Sequence, residues 1–266
     1  MFAHPISRAL AAASVVVTSA AAQGTLGAYT PVTAKYRITA VQTTSQIMMG
    51  QTQEFETTIK QLLSLAVAKS ASALSLTMTI DSATVSSNAP AGVPDASEAV
   101  GLKFVGEMGF DGKVASSQVT DKSGAPSASQ FAGNLRSILP RVRVGAAKGD
   151  TWMDSTTALM NQGPATITSE SVITYTFAGD TVLAGAKAWK ITGVGATKLS
   201  GSGNQQGADY TIKGTAKTTL TAVVSAGGVL LGGSSDADSN LSVNVEAAGM
   251  TIPIVQHAAV KIEKLP

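Results

Sequence analysis

Few residues in this chain have the types and spacing that chemistry needs. It holds two histidines, His4 and His257, and no cysteine. Zinc and acid–base sites gather several His, Cys or carboxylate groups. His257 instead stands with Thr251, Val255, Ala259 and Lys261 on the polar side of an alternating run, and it reads as a surface residue. A Ser-His-Asp triad would have to use it, and no G-x-S-x-G turn offers the serine. Asp236-Ala237-Asp238-Ser239-Asn240 opens like a calcium loop, but Leu241 stands where that loop needs glycine and Ala247 where it needs glutamate. The period-two series Asp236, Asp238, Asn240, Ser242, Asn244 and Glu246 is better read as the wet face of one strand. Glu54 and Glu56 share a strand face, as glycosidase carboxylates can, yet Thr57, Thr58 and Lys60 beside them mark a solvated stripe.

Phosphate cradles fail on spacing. Gly193-Val194-Gly195 has Lys198 where a dinucleotide fingerprint needs its third glycine, and it lies within a strand pattern. Gly112-Lys113 has Glu107 at the Walker position, and Gly201-Ser202-Gly203 is expected in a loop between strands. The expectation is a non-enzymatic protein with no catalytic residues, no metal site and no cofactor.

Composition agrees. The 266 residues carry 19 bases and 17 acids, too even a balance for a nucleic-acid footprint. Without cysteine there are no disulfides, thiolate metal sites or cysteine nucleophiles. Residues 1–22 have the three parts of a secretory signal peptide: Arg8 with no acid before it, the apolar Ala9–Val17, and a small-residue cleavage site at Ala20 and Ala22. The expected mature protein is 23–266, periplasmic or extracellular.

The elements that would position any site are strands. Leu74, Leu76, Met78 and Ile80 alternate with Ser75, Thr77 and Thr79. From Asp209 to Thr221, one face carries Asp209, Thr211, Lys213, Thr215, Lys217, Thr219 and Thr221. The other carries Tyr210, Ile212, Gly214, Ala216, Thr218 and Leu220. The same period runs through 36–42, 55–67, 167–177, 189–199 and 252–262. Strict alternation marks antiparallel sheets with one dry face. Several runs exceed ten residues, longer than ordinary strands, so the expected fold is all-β and mainly antiparallel: a long-stranded curved sheet or half-barrel with one short helix. Asp111-Gly112 and Ala226-Gly227-Gly228 read as hairpin turns, and residues 86–98 as a loop.

The one helical pattern runs from about 127 to 139, with Phe131, Leu135, Ile138 and Leu139 at helical spacing and Pro140 as the stop. It joins two stretches of strands, 33–121 and 141–263, which read as two related halves of a single domain. Arg136, Arg141 and Arg143 fall where cations favour a helix C-terminus; a docking patch for an acidic partner or lipid head group is the functional alternative.

Leu139–Trp152 (LPRVRVGAAKGDTW), with Gly109-Phe110-Asp111-Gly112-Lys113-Val114 before it, resembles an uncharacterised family of secreted bacterial β-rich proteins. That resemblance implies no known activity. The long-stranded pattern is also similar in architecture to lipoprotein-carrier and lipid-binding half-barrels. From the residues themselves, Gly149 is expected in a turn, Asp150 bonding nearby amides and Trp152 covering sheet.

Two functions follow as expectations. In the first, a curved sheet binds or shields an apolar small molecule or lipid. Its cavity would be lined by Trp189, Ile191, Gly193, Gly195, Tyr210, Ile212, Gly214 and Ala216, with the glycines leaving room. The alternative is a structural or adhesive envelope module with a packed sheet. A membrane-spanning barrel is not expected, since aromatics make up 5% of the chain and Lys264-Leu265-Pro266 lacks a terminal aromatic.

Overall fold

A computed structural model describes residues 25–48, 50–89, 93, 95–120, 139–162, 165–205 and 207–266. The chain is all-β. Its strands are β1 (Val32–Met48), β2 (Gln51–Lys69), β3 (Leu74–Ser87), β4 (Lys103–Met108), β5 (Val114–Thr120), β6 (Thr151–Gln162), β7 (Ala165–Leu183), β8 (Ala186–Gln205), β9 (Ala208–Ser225), β10 (Leu230–Val245) and β11 (Met250–Lys264). Short 3-10 turns at Ala96–Ala99 and Glu246–Ala248 interrupt them. The signal-peptide segment and 127–138 of the expected helix lie outside the described residues.

The eleven strands form one sheet in the order β5-β4-β3-β2-β1-β11-β10-β9-β8-β7-β6. Every neighbouring pair is antiparallel. The first and last strands therefore meet in the middle, from Tyr36 opposite Lys264 to Gln46 opposite Ile254. Among the described residues the strands at the two edges of the sheet are β5 and β6, consecutive in sequence. The sheet is a meander left open at a single seam.

Alternation decides which face is dry. Register carries Ile38, Gln61, Ile262, Gly233, Ala222, Ile191 and Phe177 across one inward-facing row. The outward faces of β9 and β10 carry Lys213, Lys217, Asp236 and Asp238. Residues missed by the strand reading lengthen it: β3 continues to Ser87, and Gly201-Ser202-Gly203, expected as a loop, lies inside β8. Neither proline nor a turn dipeptide interrupts that run, so the ladder continues to the real turn at Gly207, where φ is +82°.

The sheet is strongly curled, with bulges at Phe177/Gly179 in β7 and Leu62/Leu63 in the β2–β3 pair where bending is cheapest. One end is plugged. Leu26 and Tyr29, ahead of β1, pack with Val142 and Ala146, ahead of β6, into a cluster holding Tyr36, Leu63, Leu76, Phe104, Phe177, Trp189 and Val224. Both stretches, 33–121 and 141–263, contribute to this core. Backbone bonds knit the plug: Leu26 donates to Ala146, Tyr29 to Phe110 and Val142 to Asp111. Gly112 is required here, because its φ is +82° and a Cβ would lie 2.5 Å from the Tyr29 ring.

Candidate functional site: the concave face

The eight residues expected to line one cavity fall into two groups. Trp189 and Ile191 are core, 7% and 0% exposed, and Gly193 and Gly195 are buried beside them at the plugged end. Tyr210, Ile212, Gly214 and Ala216 stand higher on the inner face and are half-buried. The glycines do not leave room. A Cβ on Gly193 would sit 2.9 Å from Leu220 Cγ, and one on Gly195 3.0 Å from Ile173 Cγ1. At Gly214 it would strike the Leu241 side chain and come 2.7 Å from the Asn240 carbonyl. Each glycine is the hole into which a large cross-strand neighbour leans. The alternation pattern shows which residues share a face but not which residue stands directly opposite each glycine and fills the gap.

Above the plugged core the inner face changes character twice. First comes a polar belt: Thr44 on β1, Gln256 on β11, Ser239 on β10, Thr197 on β8 and Ser171 on β7 stand in one row, broken by Ala216. Gln256 Nε2 donates to Thr44 Oγ1 (3.4 Å), as does Gln42 Nε2 from the row below (3.3 Å), and Gln256 Oε1 accepts from Ser239 (3.5 Å). Thr197 donates to Ser171 at 3.1 Å. These bonds are long and carry no charge.

Beyond the belt, register brings Leu199, Gly214, Leu241 and Ile254 into one row, and Ile167, Gly201, Ile212, Val243 and Ile252 into the next. Ile167 is 8% exposed, whereas Leu199, Ile212, Leu241, Val243, Ile252 and Ile254 stay half-buried. None of them belongs to the core cluster or to the side chains packed on it. The opposite wall, on β1 and β2, presents Gln42, Gln46, Gln53, Phe55 and Thr57. Gln46 Nε2 donates to Gln53 Oε1 at 3.2 Å. The concave face is thus a trough, aliphatic along β7 to β11 and mostly polar on β1 and β2. Its rim is lowest at β4 and β5, of 6 and 7 residues against 20 in β8.

At the seam the structure assigns roles that the sequence left open. Gly149 has φ +92°, the Asp150 carboxylate accepts from the Ala147 amide (3.1 Å), and Trp152 stacks on Tyr175 with ring centroids 5.8 Å apart, as the turn reading expected. Arg141 finds its partners across the seam, while 127–138 of the helix it was expected to follow lie outside the described residues. Its guanidinium donates to Asp111 Oδ2 (3.2 Å), Asp154 Oδ1 (2.9 Å) and the Met153 carbonyl (3.2 Å). Arg143 donates to the Thr151 carbonyl at 3.4 Å, and Arg136 lies outside the described residues. Sequence reasoning missed this because Asp111 and Asp154 are far from Arg141 along the chain. Burial pushes the phenols of Tyr36 and Tyr175 up to about 12, Asp154 adding to the second, and raises Tyr29 further.

The candidate catalytic groups stay apart. His257 faces outward, and its Nδ1 lies 2.8 Å from the exposed Asp238 carboxylate across the β10–β11 pair. Glu54 and Glu56 are exposed on the convex side of β2, away from the trough. Among the described residues no group of three His, Asp or Glu side chains could hold a metal ion, and no helix is long and apolar enough to cross a membrane.

No protein-family model matches the chain, and no curated protein matches it. Among solved structures it is similar to Pseudomonas aeruginosa OccK8 (OprE), with 8% identity over 91% of this chain and 100% of that one, and a TM-score of 0.20. So low a score carries no argument about fold or function. The chain's own sheet makes it an all-β protein of one open antiparallel meander.

Proposed function

We propose that this is an exported, non-enzymatic β-protein whose trough holds an apolar molecule or lipid. One observation carries the reading. Leu199, Ile212, Leu241, Val243, Ile252 and Ile254 form an aliphatic layer on the concave face, cut off from the packed core by the polar belt. Left half-buried outside the core, these side chains offer apolar surface that a ligand can cover. Concave apolar surface with a few polar groups is the usual make-up of a small-molecule site. Export rests on the sequence of residues 1–22, and the absence of a reaction on the uncharged chemistry of the trough.

Titration with Nile red, an uncharged apolar dye, tests the reading. Dye fluorescence should rise on addition of the protein, and Leu241→Gln with Val243→Gln should weaken binding at least tenfold while the melting temperature moves little. A wild-type protein that leaves the dye in water overturns the ligand reading and favours the structural or adhesive module.

A further inference from the structure

We infer that the trough selects an uncharged amphiphile, an acyl chain bearing a hydroxyl or amide head, over the anion of a fatty acid. This inference rests on the ligand reading above and deepens it. The aliphatic layer spans β7 to β11, about 19 Å at the spacing of neighbouring strands, enough for a long acyl chain lying across it. Beside it run the groups a head would meet. Thr44, Gln42 and Gln256 lie on one side of the belt, Ser239 at its centre, and Thr197 and Ser171 on the other. All are amides and hydroxyls, which can exchange their long mutual bonds for bonds to another hydroxyl or amide.

A carboxylate finds no such match. Among the described residues, the inward positions of this belt and of the two aliphatic rows above it carry no lysine or arginine. The charge of Arg141 is already shared by Asp111 and Asp154, at the plugged end of the seam. An anion brought to the belt would shed water without gaining a cation, and such burial is strongly disfavoured. A neutral head loses far less.

Displacement of Nile red by monoolein and by oleate at pH 9 tests this. The two share one acyl chain, and oleate is charged. Monoolein should displace the dye at concentrations at least tenfold lower than oleate. Gln256→Lys, or Thr197→Lys should the first variant fold poorly, supplies the missing cation and should bring oleate level with monoolein or ahead of it. Equal displacement by both lipids in the wild type overturns the inference and leaves the ligand reading intact. So does a preference for monoolein that both folded lysine variants leave unchanged. Failure of the wild type to bind Nile red at all overturns the ligand reading itself.

Discussion

Asp111 and Asp154 share one guanidinium although they lie near opposite edges of the sheet. Asp111 sits in the β4–β5 turn and Asp154 on β6, and Arg141 reaches both within 3.2 Å. Laid flat, eleven strands at about 4.8 Å spacing would hold those edges more than about 40 Å apart. The ion pairs therefore report the curl of the whole sheet. Residues 140–143 sit in the seam as a wedge: Val142 bonds one edge through its backbone, and Arg141 and Arg143 bond the carbonyls of the other.

Removing that wedge should loosen the curl. Arg141→Met leaves the Asp154 carboxylate, with a side chain 18% exposed, facing inward without its partner. Charged hydrogen bonds of this kind contribute about 1.5–3 kcal/mol each, less where solvent reaches them. We expect a loss of about 1–3 kcal/mol in urea unfolding. Asp154→Asn in the Arg141→Met background should then cost less than it does alone. Equal costs in both backgrounds would show that the pair is decorative.

Alkaline stability follows from the buried phenols. Tyr36 donates to the Leu230 carbonyl at 2.9 Å and Tyr29 to the Pro140 carbonyl at 2.7 Å, both in the plug. Folding raises the Tyr36 and Tyr175 values from 10 to about 12. The folded state therefore favours the neutral phenol. Its contribution is intact below pH 10 and is lost as the pH climbs through 10 to 12, at about 1.4 kcal/mol per unit for each group. The melting temperature should fall steeply across that window. Tyr36→Phe should flatten the fall. A phenolate absorbance curve showing Tyr29, Tyr36 and Tyr175 all ionising near pH 10 in a still-folded protein would contradict the burial.

How far the sequence carried is clearest on β9. The alternation of Tyr210, Ile212, Gly214, Ala216, Thr218 and Leu220 against the lysines and threonines named both faces correctly, because the side-chain period of a strand is fixed at two. Hairpins at Asp111-Gly112 and Ala226-Gly227-Gly228 were legible for a similar local reason. Pairing of β1 with β11 was not, since contacts between chain ends leave no local mark. The filling of Gly193 by Leu220 and of Gly214 by Leu241 was equally hidden. Those contacts depend on register between strands, which only the folded sheet supplies. Arg141 was noticed as one of a basic group, yet its partners lie 30 and 13 residues away.

Export has its own check. Cleavage after Ala22 should leave Gln23 as the first residue of the protein recovered outside the inner membrane. Intact-mass measurement decides it, and a recovered chain still carrying Met1–Ala22 would remove the basis for placing the trough outside the cytoplasm.

The inner-face glycines separate packing from binding. Gly195→Leu must push against Ile173 Cγ1, 3.0 Å from the new Cβ, with the Val172 carbonyl at 3.5 Å behind it. The Ile173 side chain is packed against the core and the Val172 carbonyl belongs to the β7 backbone, so the strain has no easy outlet, and a loss of about 1–3 kcal/mol is expected. Gly214→Ala should behave alike, because the Asn240 carbonyl at 2.7 Å belongs to the backbone of β10 and cannot swing aside. Ala216→Leu is the contrasting case. Ala216 is half-buried in the polar belt, opposite Thr197 on β8 and Ser239 on β10, and a larger side chain there projects into the trough. That variant should keep its melting temperature within a few degrees and lose dye binding. Gly195→Leu should melt early. Ala216→Leu melting as early as Gly195→Leu would mean that the belt is packed as tightly as the plug, leaving no trough for a ligand to enter.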